Sequence, residues 1–392
     1  MTSESFPEVD ALLPLDEKLL RRRLLMGVPV TEVPVMEVTA ASGPDGDSGA
    51  YARIERVESV GSTNQYLLDA LAAESQNGVA YAADSATDSG VSSQWPHLSV
   101  LTAEEQTGGR GRLGRSWASP KSTSLSTSVV LRPRLDPAHW GWLSMLVGRA
   151  LVDTLRQDYG LDTPSQRAVL KWPNDVQVTQ ASGAEKKISG ILAAAVPGPR
   201  FTSAASADVT SARARFQGTA SADAQTGPGA VVLGVGINVL LSPQQLPTDA
   251  ATSVLIELRR ARAEAGGEHA GRGLDSPEDL ALLRTELLCN VLKRFAERLA
   301  TVEEYASRHP EHVSEFLSEQ IAEVLNTIGQ RVRVELPDDR AERGVANGLG
   351  PDGALQVLVT EFRTAPVEPW QPCEPRLSSF SAGDVVHLRP SP

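Results

Sequence analysis

Between Gly108 and Trp117 the chain reads GGRGRLGRSW, three arginines set among glycines. Glycine lets a backbone approach a ligand closely and reach positive φ. Arg110, Arg112 and Arg115 add forked donors suited to phosphate and carboxylate. The GK[ST] ending of a Walker loop is missing, and the spacing is not a Rossmann fingerprint. The density of Arg and Gly favours anion binding; a solvated turn and a grip on nucleic acid are the alternatives.

Three further stretches hold polar groups that a plain core would not need. In GSTN, Ser62, Thr63 and Asn64 stand at a helix start, where hydroxyl, amide and N–H groups can meet a ligand's polar head. The plainer reading is a capping box of Ser62 with Gln65. In LKWPND, Lys171 and Trp172 end a strand and Pro173, Asn174 and Asp175 make a turn. Asp175 is either an ordinary turn residue or a group that holds Mg²⁺ or positions an attacking amine. In KISGIL and GVGIN, Lys187 brings a charge to the start of an apolar strand and Lys186 takes the opposite face. Gly190, Gly234 and Gly236 leave strand faces bare, as a flat ligand against a sheet requires, and Asn238 closes its strand with an amide. A snorkelling lysine and tight strand packing are the alternatives here.

The elements that position these groups follow from periodicity. Residues 51–60 and 98–105 alternate as strands, with a helix from about Ser62 to Ser75 between them. Strands follow in SLSTSVVLRP, AVLKWPNDVQV (broken by its turn), KKISGILAAAV and AVVLGVGINVLL. HWGWLSMLVGRALVDTLRQDYG reads as a long amphipathic helix, and more helices are expected at about 252–264, 277–300 and 302–325. From Ile328 the texture becomes short strands between Gly, Asp and Pro turns, a small SH3-like β-barrel. The division is a mostly disordered extension at 1–50, a mixed α and β domain at 51–325 with a low-complexity insertion at 197–229, and a small domain at 326–392. Hairpin-like joins make the class α+β rather than a doubly wound parallel sheet.

Composition narrows the function. The 392 residues are 41% hydrophobic, enough for a sizeable core, and carry a formal net charge of −12. That balance opposes a life on the DNA backbone. DEKLLRRRLL, within the first fifty residues, is too short for a helix-turn-helix domain. Cys289 in ELLCNVL reads as a core residue and Cys373 lies among prolines, so neither a disulfide framework nor a cysteine zinc site is expected. His309 and His312 in HPEH lack the partners of a metal site and read as a surface helix. The amino terminus has no signal-peptide pattern and no run nears the roughly 18 apolar residues of a membrane span, so a cytoplasmic protein is expected.

STN, EEQTGGRGRLGRSW, LKWPNDV, KISGIL, GVGINV and SAGDVVHLR occur in the order seen in biotin protein ligases. As a set they make the chain, from Arg53 to Arg389, resemble that family. The resemblance implies a class II aminoacyl-tRNA synthetase-like catalytic domain with a C-terminal SH3-like β-barrel. It implies that biotin and ATP form biotinyl-5′-AMP, which then acylates a lysine on the biotin carboxyl carrier domain of an acyl-CoA or pyruvate carboxylase. By matching positions, Ser62, Thr63, Asn64, Gln106, Arg110, Gly111, Arg112 and Lys187 would contact biotin or its carboxylate. Arg115, Trp117, Asn238 and Arg389 would serve the nucleotide, and Asp175 would hold Mg²⁺ or the amine. Arg112, Lys187 and Asp175 are the expected catalytic groups. No DNA or membrane partner is expected, because residues 1–50 do not supply the DNA-binding domain that some family members carry. A lipoate or octanoate protein ligase of the same fold class is the rival enzyme, and a nucleic-acid-binding module using the RGR loop is the rival of another class.

Overall fold

The molecule is described by a computed structural model over residues 6–25, 49–76, 93–117, 119–196, 229–264, 274–336, 339–381 and 384–387. Arg389 and nearly all of the 197–229 insertion lie outside the described residues.

Helix α1 (Glu17–Leu24) is capped by Asp16, whose carboxylate accepts from the Leu19 N–H at 3.0 Å. Leu15, Leu20 and Leu24 are buried in the main core. The Leu24 carbonyl accepts from Tyr51 N–H at 2.9 Å, leading into the first strand. This corrects the expectation of disorder at 1–50: residues 6–25 are packed. DEKLLRRRLL could be read as two helical turns, but its docking could not, because a short charged segment needs only a few apolar residues on one face to pack.

Strand β1 (Arg53–Val60), α2 (Thr63–Gln76) and β2 (Ser99–Gln106) form a crossover unit with β1 and β2 parallel. Then come β3 (Ser124–Leu131), α3 (Leu143–Gln157), β4 (Gln166–Lys171), β5 (Asp175–Gln180), β6 (Glu185–Val196) and β7 (Ala230–Asn238). They complete a seven-stranded sheet of order β1-β2-β3-β7-β6-β5-β4, whose other neighbours are antiparallel. The mixed sheet with helices agrees with an α+β class. One face packs against α3 and the helices that follow, α4 (Val254–Glu264), α5 (Pro277–Arg308) and α6 (Val313–Ala322). The other is covered in part by α2, where Leu67 and Leu71 meet Leu101, Val130 and Val232. Helix α5 runs unbroken past residue 301; the break expected there comes at His309–Pro310, where proline lacks the N–H to continue.

Strands β8 (Arg331–Glu335), β9 (Ala341–Leu349), β10 (Leu355–Arg363), β11 (Gln371–Phe380) and β12 (Asp384–His387) form a second, antiparallel sheet of order β11-β10-β9-β8-β12. β11 was not anticipated, since Pro372 and Pro375 argue against a strand. It lies at the sheet edge, where a missing N–H costs no ladder bond. The turn joining β9 and β10 is bolted to the larger sheet. Trp142 Nε1 donates to Pro351 O and Trp172 Nε1 to Gly353 O, each at 2.9 Å.

Candidate active site

The strand register writes the floor of a cavity. Ala103, Ser126, Gly236, Gly190 and Asp175 stand opposite one another across β2, β3, β7, β6 and β5, so their side chains share one face. The next row runs Leu101, Ser128, Gly234 and Leu192. These rows line a cavity of about 470 Å³.

Thr63 and Asn64, at the start of α2, form one wall. Thr63 N–H donates to Gln106 Oε1 at 2.8 Å. Asn64 Nδ2 donates to Leu192 O at 2.9 Å, while Ser128 Oγ lies 2.6 Å from Asn64 Oδ1. Glycine at 234 makes this possible: a Cβ there would sit 2.3 Å from Asn64 Oδ1. Ser62 Oγ accepts from Gln65 N–H at 3.4 Å, but the Gln65 side chain donates forward to Asp69 instead of back to the cap. Only half of the expected capping box forms.

The basic loop makes the lid. It is a folded hairpin rather than an open turn: Trp117 N–H donates to Gly109 O at 2.8 Å and Gly111 N–H to Arg115 O at 2.7 Å. A Cβ on Gly109 would meet Trp117 O at 2.3 Å, which is why the chain needs glycine there. Arg110, Gly111, Arg112 and Arg115 all line the cavity. Arg112 Nη1 donates to Asn174 Oδ1 at 3.3 Å, and Asn174 Nδ2 donates in turn to Ile191 O at 2.6 Å. Burial pulls the Arg112 guanidinium below its ordinary value; Asp175 opposes the shift and Arg115 adds to it. Such a cation is stabilised by an incoming anion. The Trp117 ring covers the bare floor, and a Cβ on Gly236 would come within 2.6 Å of its Cε2. Its indole Nε1 is buried with no hydrogen-bond partner.

Lys187 reaches this face through a β-bulge. Val176 pairs with Ser189 but Gln177 pairs with Lys187, so one residue of β6 is extra. Simple alternation from Ile191, a core residue, would send Lys187 toward the helices. The bulge reverses the phase: Ile188 enters the core and Lys187 turns to the cavity. Lys187 Nζ then lies 2.6 Å from Asp175 Oδ1 and 5.6 Å from the Trp117 ring centre. Lys186 points elsewhere, donating to Asp249 O.

The structure thus gathers Ser62, Thr63, Asn64, Gln106, the loop residues with Trp117, Asp175, Lys187 and Asn238 around one cavity. Sequence reasoning missed several others. Gln177 lines it beside Lys187, and Lys171 lines it opposite Asp175. Burial holds Lys171 below the ordinary lysine range, with Asp175 and Glu185 opposing and Lys187 reinforcing. Thr252 ties the rim together. Its N–H donates to Lys187 O at 2.9 Å, its carbonyl accepts from Asn238 Nδ2 at 3.1 Å, and its hydroxyl donates to the buried Glu257 at 2.6 Å. Only the long-range pairing of residues 250–252 with β6 reveals that role. His309 and His312 lie away from the cavity, and no group of three candidate metal ligands occurs among the described residues.

Residues 81–205 match the model of the Biotin/lipoate A/B protein ligase family. The chain is 29% identical over 377 residues to the Biotin–[acetyl-CoA-carboxylase] ligase of Mycobacterium tuberculosis, covering 96% of this chain and 97% of that protein. It is 38% identical over 92 residues to the enzyme of the same name from Paracoccus denitrificans, covering 24% of this chain and 35% of that protein. A solved biotin protein ligase from Aquifex aeolicus, in complex with biotin and ATP, is 22% identical with a TM-score of 0.49, covering 87% of this chain and all of that one. Over residues 81–205 the chain is thus similar to the biotin/lipoate A/B protein ligase family, and over nearly its whole length to a biotin–[acetyl-CoA-carboxylase] ligase.

Proposed function

We propose that the protein activates biotin with ATP and transfers it to a lysine of a biotin carboxyl carrier domain. One observation carries the reading: beside a glycine floor that seats Asn64 and the Trp117 ring, one cavity brings together Lys187, Asp175 and Arg112, the charges an activated carboxylate needs. The biotin ring lies between the floor and the wall of Ser62, Thr63, Asn64 and Gln106. Its carboxylate reaches toward Arg112 and Lys187, with Arg110 and Gly111 closing over it. Arg115, Trp117, Asn238 and Arg389 serve the nucleotide, and the buried Trp117 N–H supplies a donor for it.

In the first step a biotin carboxylate oxygen attacks the α-phosphorus of ATP, the bond to the β-phosphate bridge breaks, and pyrophosphate leaves. Two anions must approach, so preorganised cations lower the barrier. Lys187, held by Asp175 until the carboxylate arrives, and Arg112, held by Asn174, are aimed at that charge. In the second step the carrier lysine amine attacks the acyl carbon, the acyl–phosphate bond breaks, AMP leaves and the amine loses a proton near Asp175. The folded loop excludes water, which would otherwise hydrolyse the anhydride. Mg²⁺, which supplies charge neutralisation on the phosphates, fits with Asp175 as its one nearby carboxylate rather than in a protein cage.

The larger sheet and its helices are assigned to the class II aminoacyl-tRNA synthetase-like type and the second sheet to the SH3-like type. The mixed sheet under an open cavity supports the first, and five short antiparallel strands support the second. The acceptors are carrier domains of carboxylases; the names of two relatives specify acetyl-CoA carboxylase. The acidic net charge of −12 supports a reading without a DNA partner. Dependence on ATP and two free thiols support a cytoplasmic site of action. Exchange of labelled pyrophosphate into ATP tests the reading: biotin should support it and lipoate should not. Exchange with lipoate alone would replace biotin by lipoate as the substrate, and exchange with neither would overturn the reading.

A further inference from the structure

The proposed reaction makes no use of a buried ion pair beneath the lid. Glu104 is 1% exposed and Arg284 of α5 is fully buried; Arg284 Nη2 lies 2.8 Å from Glu104 Oε2. Glu104 sits two residues before Gln106, at the root of the basic loop. The loop leaves β2 and returns to β3 across two rungs. At one, Gln106 N–H donates to Ser119 O at 3.3 Å. At the other, Ser122 N–H donates to Glu104 O at 2.9 Å and Ser122 Oγ to Glu104 Oε2 at 3.1 Å. Ser122 holds this place at φ 56°, in the left-handed region.

The same carboxylate also holds the N-terminal segment. Leu15 N–H donates to Glu104 Oε1 at 2.8 Å, and Arg284 Nη1 donates to Leu13 O at 3.2 Å. Asp16 N–H donates to Thr285 Oγ1 on α5 at 3.0 Å. One buried carboxylate therefore joins the segment before α1, the longest helix and the root of the loop whose arginines line the cavity.

We propose that Leu13–Asp16 form a strap that, through Glu104 and Arg284, sets the closed position of the basic loop and so the retention of the activated acyl intermediate. The effect on catalysis rests on the ligase reading; the effect on the loop does not. Glu104, Arg284 and Ser122 are positioning residues, because they act through the loop. Glu104 also meets Arg56 Nη1 at 3.4 Å, but removing the carboxylate would leave Arg284 buried without its anion and endanger the fold. Two milder variants in the full chain avoid that. Ser122→Gly removes the hydroxyl and suits the positive φ. Thr285→Val cuts the strap's tie to α5, on the far side of Glu104 from the loop.

The direct test is hydrogen exchange of the Gly108–Trp117 amides in the ligand-free protein. Both variants should speed exchange there by about three- to ten-fold, while α3 and α5 stay protected as in the parent. In parallel, the release of biotinyl-5′-AMP from the isolated enzyme should rise by a similar factor, with a smaller change in the KM for biotin. Unchanged exchange in the loop overturns the proposal. So does a loosened loop in Ser122→Gly alone, since the strap then has no share, and so does a uniform rise across the molecule, which marks simple destabilisation. If the parent makes no adenylate while the loop still responds to both variants, the ligase reading fails and the strap stands.

Discussion

At Lys187 a single extra residue in β6 decides whether an ammonium faces solvent chemistry or the helices. Losing that charge should remove roughly 3–4 kcal/mol from the first transition state, about two to three decades in rate. Lys187→Gln should therefore form biotinyl-5′-AMP that much more slowly in a single-turnover assay. Lys187→Arg should rescue poorly, because a planar fork does not replace a point charge beside Asp175. Lys186→Gln should stay near the parent rate, since that side chain meets Asp249 O outside the cavity; the reverse pattern would put the catalytic charge one residue earlier. Gly236→Ala tests the floor: its methyl would stand 2.6 Å from the Trp117 ring, so the lid must lift. The expected outcome is weaker nucleotide and biotin binding by calorimetry with little change in melting temperature. Charge and amide groups beside bare strands drew attention to Lys187, Asp175, Arg112 and Asn64, but a helix cap, an ordinary turn and a snorkelling lysine stayed open until the resemblance to biotin protein ligases singled them out; the four line one cavity. The bulge that aims Lys187 was not legible in the sequence, since it depends on pairing between strands.

Elements were read well where one segment carries its own periodicity, as in α3 and β7, and poorly where a neighbour supplies the reason. β11 contains prolines that only an edge position tolerates, and the two possible turns of DEKLLRRRLL gave no sign that the core takes Leu20 and Leu24. Thr252 and Glu257 gave no local signal at all. The β9–β10 turn supports the Asn174–Asp175 turn from below through Trp172. Trp172→Phe keeps the ring but leaves the Gly353 carbonyl unsatisfied, a loss of about 1–2 kcal/mol in urea unfolding. The KM for ATP should rise with it if the turn carries Asp175 as proposed; an unchanged stability would show that the contact is not held in solution.

Across the whole molecule, the N-terminal segment is part of the core, so deleting residues 1–25 should lower the unfolding midpoint rather than leave the enzyme intact. Stability should also fall in mild acid. His97 accepts from Arg132 N–H at 2.9 Å, and burial, with Arg132 and Arg134 nearby, lowers its pKa to about 4. The folded state thus binds its proton later than the unfolded chain does. Its contribution is complete above pH about 6.5 and is lost as pH falls toward about 4, at most about 3 kcal/mol. His97→Gln should flatten that part of the curve in pH-dependent denaturation. Transfer of biotin to a protein lysine is read out by mass spectrometry of a purified carrier domain after incubation with the full chain, biotin, ATP and Mg²⁺. The expected result is one biotinyl group on one carrier lysine, abolished by omitting ATP and strongly slowed by Lys187→Gln. A carrier that stays unmodified, or one that accepts lipoate instead, would contradict it.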